Sequence, residues 1–215
     1  MPVAGRMLVL LVAGLLAGCD EMPLPQGGAT VAVAAPAPRR IGVSNRAVVI
    51  SGPAGYCIDK SAARDGAGGA FVLLGSCAAL AQSAAEPKPS VPAVLTATVS
   101  PPGAQPVGGQ LAELNRFFLS AAGRAALSRS GRAASVTVMQ AWGRDGVFFL
   151  VAGDASPTGH QHLQSTFWRA VLDVKGRIVT LNVAGLRAQP LGPAAGRATL
   201  EAFVRQIQRE NRGGL

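Results

Sequence analysis

Alternation of apolar and polar residues predicts several short β-strands in the first half of the chain. The segments RAVVIS (46–51) and AVLTATV (93–99) are rich in β-branched residues. The segment AFVLL (70–74) is a continuous apolar run, which is typical of a buried strand. We expect a strand at each of these segments, and a flexible loop at the glycine-rich sequence DGAGG (65–69).

Two β-hairpins are predicted in the second half of the chain. Apolar alternation covers 135–142 and 147–152, and the intervening GRDG contains an Asp-Gly pair, which is a strong signal for a tight hairpin turn. The same pattern covers 166–174 and 177–184, with a Lys-Gly pair between them. These four segments are expected to pair as antiparallel strands.

Helical periodicity is clearest at about 111–130 and 194–210. In the first segment the apolar residues with the spacing of one helix face are Leu111, Leu114, Phe118, Ala121, Ala122 and Ala125. Gly131 follows this segment as a stop signal. In the second segment the core-facing residues are Leu200, Phe203, Val204 and Ile207. We therefore expect two main helices.

The order of these elements is strands, a helix, four strands and a final helix. This order predicts the α+β class, with a mostly antiparallel sheet covered by helices chiefly on one face. The last part, two hairpins followed by a terminal helix, resembles PsbP-like exported domains. That likeness is one of fold, and it implies no particular activity.

The first 18 residues have the pattern of an export signal. Arg6 precedes an apolar run of ten residues (7–16), which is too short to span a hydrocarbon core of about 30 Å. The run leads into LAGC (16–19), which resembles the lipobox of bacterial lipoproteins at all four positions. The resemblance implies lipidation of the Cys19 thiol, cleavage after Gly18 and N-acylation. The alternative is an ordinary secretory signal followed by a chance cysteine.

The segment after Cys19 is predicted to be a tether. Residues 20–45 are rich in Pro, Ala and Gly, and an extended chain of this kind reaches roughly 80 Å at about 3.1 Å per residue. We therefore expect a signal peptide at 1–18, a lipidated cysteine with its tether at 19–45, and one globular domain at 46–215. Asp20 resembles the signal that retains lipoproteins of enteric bacteria at the inner membrane, which favours that membrane over the outer one.

The charge balance changes this picture only slightly. The chain of 215 residues has a net charge of +9, but its basic residues are scattered and form no run of five. An exported protein rarely meets nucleic acid, so no nucleic-acid partner is expected. The positive charge is read as a solvated surface, or as attraction to anionic lipid head groups beside the anchor.

Two cysteines remain once Cys19 is assigned to the lipid. Exported proteins occupy oxidising compartments, and an even number of thiols there favours a disulfide. We predict a bond between Cys57 and Cys77. A redox-active pair is the alternative, but such pairs are usually spaced CxxC.

Candidate chemistry is sparse. His160 and His162 form an HxH pair, which places both imidazoles on one side of an extended segment, and Asp154 lies nearby in sequence. Such residues can bind zinc or copper, although a complete site needs three or four ligands. The sequence has no G-x-S-x-G nucleophile motif and no nucleotide-binding glycine motif. Trp142 and Trp168 are expected to be core or sheet-face aromatics rather than a ligand platform.

These observations predict a lipid-anchored envelope protein, and they favour a non-enzymatic binding or envelope-maintenance module over an enzyme. Its expected partners are the membrane, through its anchor, and an envelope protein or component. We expect no cofactor and name no catalytic residue. The loop at 153–165 and the adjoining sheet face form the expected binding region, because long loops of this kind are often functional. The alternative is a metal-binding protein or metal-dependent enzyme that uses His160 and His162.

Overall fold

A computed structural model describes residues 36–157 and 162–213, and its framework is a seven-stranded sheet. The strands of the described residues are β1 (Arg40–Val43), β2 (Val48–Ser51), β3 (Tyr56–Gly66), β4 (Gly69–Ser76), β5 (Ala93–Val99), β6 (Val136–Arg144), β7 (Val147–Asp154), β8 (Leu163–Val174) and β9 (Arg177–Leu186). The large sheet has the order β3-β4-β5-β9-β8-β7-β6, and all neighbouring pairs are antiparallel. β1 and β2 form a separate antiparallel pair. The expected α+β class with a mostly antiparallel sheet is confirmed.

The helices are few and short except for the last. Those of the described residues are α1 (Cys77–Leu80), α2 (Leu111–Leu119), α3 (Ala121–Leu127) and α4 (Pro193–Asn211), with 3₁₀ turns at Gly108–Gln110 and Ala133–Ser135. The helix expected at 194–210 is confirmed as α4, and Pro193 suits its first turn, where a backbone N–H has no helical partner. Within these residues, no helix is both long and apolar enough to span a membrane.

Strand alternation gives the sheet two faces with different coverings. The α4 face, which carries Val179, Leu181 and Val183 of β9, is buried beneath α4 and the β1–β2 pair. The opposite face, which we name the groove face, carries Thr180, Asn182 and Ala184 of the same strand. The contacts of α4 with the core are made by Leu200, Phe203, Val204 and Ile207, as predicted.

Helices α2 and α3 cover only one end of the groove face. Phe118 and Leu127 pack over β7 in a second core, and the rings of Phe118 and Phe148 stack with centroids 5.5 Å apart. The expectation that helices lie chiefly on one face is therefore wrong. At β7 both faces of the sheet carry apolar side chains, and each face is buried by its own helices. Over β4 and β5 the groove face is more open, and Phe71 is 36% exposed.

The prediction of a single helix at 111–130 is wrong, because the helix is interrupted at Ser120. That residue has an extended backbone, and its hydroxyl accepts a hydrogen bond of 3.1 Å from the N–H of Gly123, which caps α3. A Cβ at position 123 would overlap the carbonyl of Phe117, so glycine allows the two helices to turn closely against each other. Ala121 and Ala122, which were assigned to the apolar face, are exposed.

Two boundaries also differ from expectation. The stretch assigned to the tether contains β1, and the N–H of Ile58 donates to the carbonyl of Pro38 at 2.7 Å, so the folded region begins before residue 46. The flexible loop expected at 65–69 is instead the tight end of the β3–β4 hairpin, where Gly66 pairs with Gly69. Both segments belong to local hairpins, β1–β2 and β3–β4, and their glycine and proline residues, which are depleted in strands, make them hard to recognise in the sequence.

The predicted disulfide is confirmed. Cys57 in β3 and Cys77 at the start of α1 are bonded, with their Cα atoms 4.8 Å apart, and both residues are buried. The bond ties β3, the outer strand of the sheet, to the start of α1, which follows β4.

The two predicted hairpins are confirmed as β6–β7 and β8–β9.

The packing of α4 depends on a glycine. Gly196 lies against the indole of Trp168, which is 2% exposed, and a Cβ at position 196 would overlap the ring. Trp168 belongs to the core, as predicted. The close approach of α4 to the sheet therefore requires a residue without a side chain at this point.

We expect Gly196→Ala to lower the free energy of unfolding by about 1–3 kcal/mol, because overpacking outweighs the gain in helix propensity. Alanine is otherwise favoured over glycine in a helix by roughly 1 kcal/mol. The matched control is Ala198→Gly at an exposed position of α4, which should destabilise through propensity alone. Urea unfolding followed by circular dichroism measures both. A more stable Gly196→Ala protein would show that α4 does not pack as described.

Candidate functional site

Helices α2 and α3 leave half of the groove face uncovered. This half forms a depression of about 690 Å³, which we call the groove. Volumes of about 300–1,000 Å³ are usual for small-molecule sites in proteins. Most of its lining is apolar and comes from β4, β5, β8 and β9, namely Phe71, Leu73, Val94, Phe167, Ala184 and Leu186. The α3 end and the segment before β8 close one side, where Leu127 and His162 contribute. The groove is thus an apolar surface held on a rigid sheet.

A line of polar side chains crosses the floor of the groove. The Arg169 Nε–H donates to Asn182 Oδ1 at 2.6 Å, and the Asn182 Nδ2–H donates to Thr96 Oγ1 at 3.0 Å. These residues lie on three adjacent strands, β8, β9 and β5, and their side chains share the groove face. The chain of hydrogen bonds fixes the plane of the guanidinium group.

The charge on Arg169 has no counter-ion among the residues that the structure describes. Its guanidinium carbon lies 5.5 Å from the centroid of the Phe167 ring, so part of its surroundings is aromatic. Burial lowers the pKa of Arg169 to about 10, because the charged form is less well solvated. A guanidinium of this kind remains protonated at neutral pH and favours an incoming anion.

A buried carboxylate at the rim of the groove is, by contrast, fully engaged. Asp154, at the end of β7, is 2% exposed. One oxygen accepts from the backbone N–H and the Nε–H of Arg129, both at 2.9 Å. The other accepts from the hydroxyl of Ser156 at 2.6 Å and its N–H at 2.9 Å. This carboxylate ties the turn after α3 to the end of β7.

Serine hydroxyls extend this contact into a compact hydrogen-bonded group, which we call the serine–aspartate cluster. Its members are Ser128, Ser130, Ser135, Asp154 and Ser156. The hydroxyls of Ser128 and Ser135 are 2.7 Å apart, and that of Ser156 is 2.9 Å from Ser130. Because the cluster joins the region 128–135 to the end of β7, with Ser135 and Ser156 separated by 21 residues, it supports one wall of the groove.

The electrostatics of Asp154 argue against a role as a general base. Burial by itself raises the pKa of this carboxyl, but hydrogen bonds from the Ser156 hydroxyl, from two backbone N–H groups and from the Arg129 guanidinium together hold the pKa of Asp154 well below its ordinary value. A carboxylate so weakly basic does not activate the Ser156 hydroxyl efficiently. The arrangement is suited to holding structure in place.

The predicted metal ligands are only partly described. His162 lies exposed at the rim of the groove, Asp154 has the hydrogen bonds given above, and His160 lies outside the described residues. Within 36–157 and 162–213, no group of three or more His, Cys, Asp or Glu side chains is placed to hold a metal ion. A site built on His160 and His162 therefore stays a prediction.

The binding region expected from the sequence borders the groove, but Arg169 is not among the candidate residues named from the sequence. The expected binding region at 153–165 does border the groove through Asp154, His162 and the first three residues of β8. Arg169 was not singled out, although one signal for it was present. It is the only charged residue between Leu163 and Leu172, in a strand that is otherwise largely apolar.

Cys19 and the segment before residue 36 lie outside the described residues, so the structure does not bear on the anchor. No protein-family model, curated protein or solved structure matches this chain. The functional argument accordingly depends on the geometry of the groove and on the export pattern of the sequence.

Proposed function

We propose that this chain is an exported, lipid-anchored binding module of the bacterial cell envelope, and that the groove is its binding site. The observation that carries the proposal is the apolar groove, whose floor contains a guanidinium, that of Arg169, with no carboxylate partner within residues 36–157 and 162–213. An apolar pocket with a few oriented polar groups is the usual form of a ligand site. The rigid sheet and the serine–aspartate cluster support a preformed site, which lowers the entropic cost of binding.

The proposed anchor sets how far the groove can lie from the membrane. Because β1 begins at Arg40, the tether from Cys19 is shorter than the sequence alone indicated. At about 3.1 Å per extended residue it spans at most roughly 65 Å. A domain held in this way samples the region just above the membrane surface, where lipids and other envelope components are available.

A photo-crosslinking amino acid in place of Val94 tests the site in living cells. Val94 lines the groove, so we expect it to capture a bound component, and we expect Ala184→Trp in the same chain to abolish the product by filling the groove. The readout is mass spectrometry of the purified, crosslinked protein. The control places the same amino acid at Ala198 on the exposed side of α4.

A Val94 product that persists in the Ala184→Trp chain, or one that also forms from position 198, would contradict binding in the groove. The anchor is checked in the same cells by metabolic labelling with a radioactive fatty acid, which should label the wild-type protein and should not label Cys19→Ser. A wild-type protein without label would refute lipid attachment at Cys19 without affecting the result for the groove.

A further inference from the structure

We infer that the ligand of the groove is an amphipathic carboxylate, an acyl chain whose acid group binds Arg169. This inference rests on the proposed function and adds the chemical class of the ligand. It follows from three features of the groove: its unpaired charge, the orientation of that charge, and the apolar surface around it.

Charge is the first feature. Of the charged side chains that line the groove, Arg129 and Asp154 already form an ion pair at 2.9 Å. Arg169 has no carboxylate partner among the described residues, although it is partly buried beside the Phe167 ring in a largely apolar groove. An isolated charge in such surroundings is costly, and an anionic ligand would supply the missing partner. A single uncompensated cation favours a ligand with a single negative charge.

Orientation is the second feature. Asn182 occupies the Nε–H of Arg169, and in the described part of the chain the two terminal nitrogens, Nη1 and Nη2, have no hydrogen-bond acceptor. Two N–H groups that point the same way from a planar guanidinium match the two oxygens of a carboxylate. Thr96 and Asn182 hold this geometry before a ligand arrives.

The apolar surface is the third feature, and it excludes a small free anion as the main ligand. Phe71, Leu73 and Val94 lie on one side of Arg169, and Ala184 and Leu186 lie along β9 beside it. Covering this surface with hydrocarbon removes it from water, which is favourable by about 25 cal/mol per Å² of apolar area. A ligand with both an acid group and a chain satisfies both parts of the groove.

The test is calorimetric titration of the mature chain (19–215) carrying Cys19→Ser, which has neither the apolar signal segment nor the proposed lipid. The probes are laurate, 1-dodecanol and acetate, used as monomers. They represent the whole ligand, the chain without the charge, and the charge without the chain. We expect laurate to bind one to one. 1-Dodecanol should bind at least about tenfold more weakly, since a hydrogen-bonded charge contributes a factor of that order. Acetate should also bind at least about tenfold more weakly, because it has no chain to cover the apolar surface.

Two variants separate the charge from the fold. Arg169→Met should weaken laurate binding by about 10- to 100-fold while leaving 1-dodecanol binding unchanged or stronger. Arg205→Met, on exposed α4 at the other face of the sheet, removes the same charge from the chain and should leave laurate binding unchanged. Circular dichroism of each variant checks that it is folded.

Equal binding of laurate by the Cys19→Ser protein with and without Arg169→Met would overturn the inference, as would a Cys19→Ser protein that binds no laurate. Neither result would overturn the groove as a binding site, because the Val94 crosslink and its loss in Ala184→Trp are measured without assuming a ligand. Loss of that crosslinking result, together with intact laurate binding, would instead refute the proposed envelope function.

Discussion

Asp154→Ala is expected to lower the free energy of unfolding by about 3–5 kcal/mol, the range found when one partner of a buried ion pair is removed. Four donors lose their acceptor at once, namely the N–H and Nε–H of Arg129 and the N–H and hydroxyl of Ser156. Because Asp154 is 2% exposed, water does not readily replace the lost oxygens. Equilibrium unfolding in urea measures the loss.

The controls separate the hydrogen bonds from the change in charge. Glu113→Ala removes one negative charge from an exposed position of α2 and should change stability by less than about 1 kcal/mol. Asp154→Asn keeps one acceptor oxygen and should fall between the wild-type and alanine proteins. A loss below about 1 kcal/mol for Asp154→Ala would show that the serine–aspartate cluster does not stabilise the fold.

The same residue predicts how stability depends on pH. The pKa of Asp154 is held below its ordinary value in the folded state, so its stabilising contribution is fully present above the unfolded-state pKa of about 3.9 and is lost as the pH falls further. The stability difference between the wild-type and Asp154→Asn proteins should therefore be constant at neutral pH and shrink in acid. A difference that grows as the pH falls below this value would contradict the assignment.

Loss of the disulfide is expected to cost about 3 kcal/mol, because Cys57 and Cys77 are separated by 20 residues and the bond restricts the unfolded chain. The variant is Cys57→Ala with Cys77→Ala, which also leaves small gaps where two buried sulfur atoms stood. For a chain of this size, a change of that magnitude lowers the melting temperature by roughly 6–12 °C. Differential scanning calorimetry measures the shift.

Reduction provides the matched control for the disulfide. A thiol reductant should destabilise the wild-type protein by a similar amount and should not change the melting temperature of the double alanine variant. If the variant and the oxidised wild-type protein melt together, the bond contributes nothing to the stability of the native state. Both measurements use the protein purified without reductant.

Much of the fold could be predicted because its elements are encoded locally. The β6–β7 and β8–β9 hairpins have alternating strands on either side of an Asp-Gly or Lys-Gly turn, and their pairing partners are adjacent in sequence. The prediction failed where the decisive contact was distant or small. At Ser120, a cap and the close packing of Gly123 broke a pattern that otherwise had helical spacing.

The candidate site was predictable only in outline. Thr96 and Asn182 are 86 residues apart in sequence, yet they meet because β5 and β9 are neighbours in the sheet. Threonine is common in strands, and a single asparagine in a strand does not indicate which neighbouring strand it will contact, so nothing local marked this pair. Asp154 was noted as a possible metal ligand from its position near the histidines, but its actual partners, Arg129 and Ser156, come from two different segments.

The sequence by itself determined the α+β class, the two later hairpins, the terminal helix and the disulfide, because periodicity, turn residues and cysteine number act over short distances or leave one pairing. It also carries the export and lipobox pattern, which is read from neighbouring residues. Only the tertiary structure decided which half of the groove face stays open and that Arg169 lies in it without a counter-ion from the described part of the chain. Strand order sets both, and strand order depends on contacts among residues far apart in the chain.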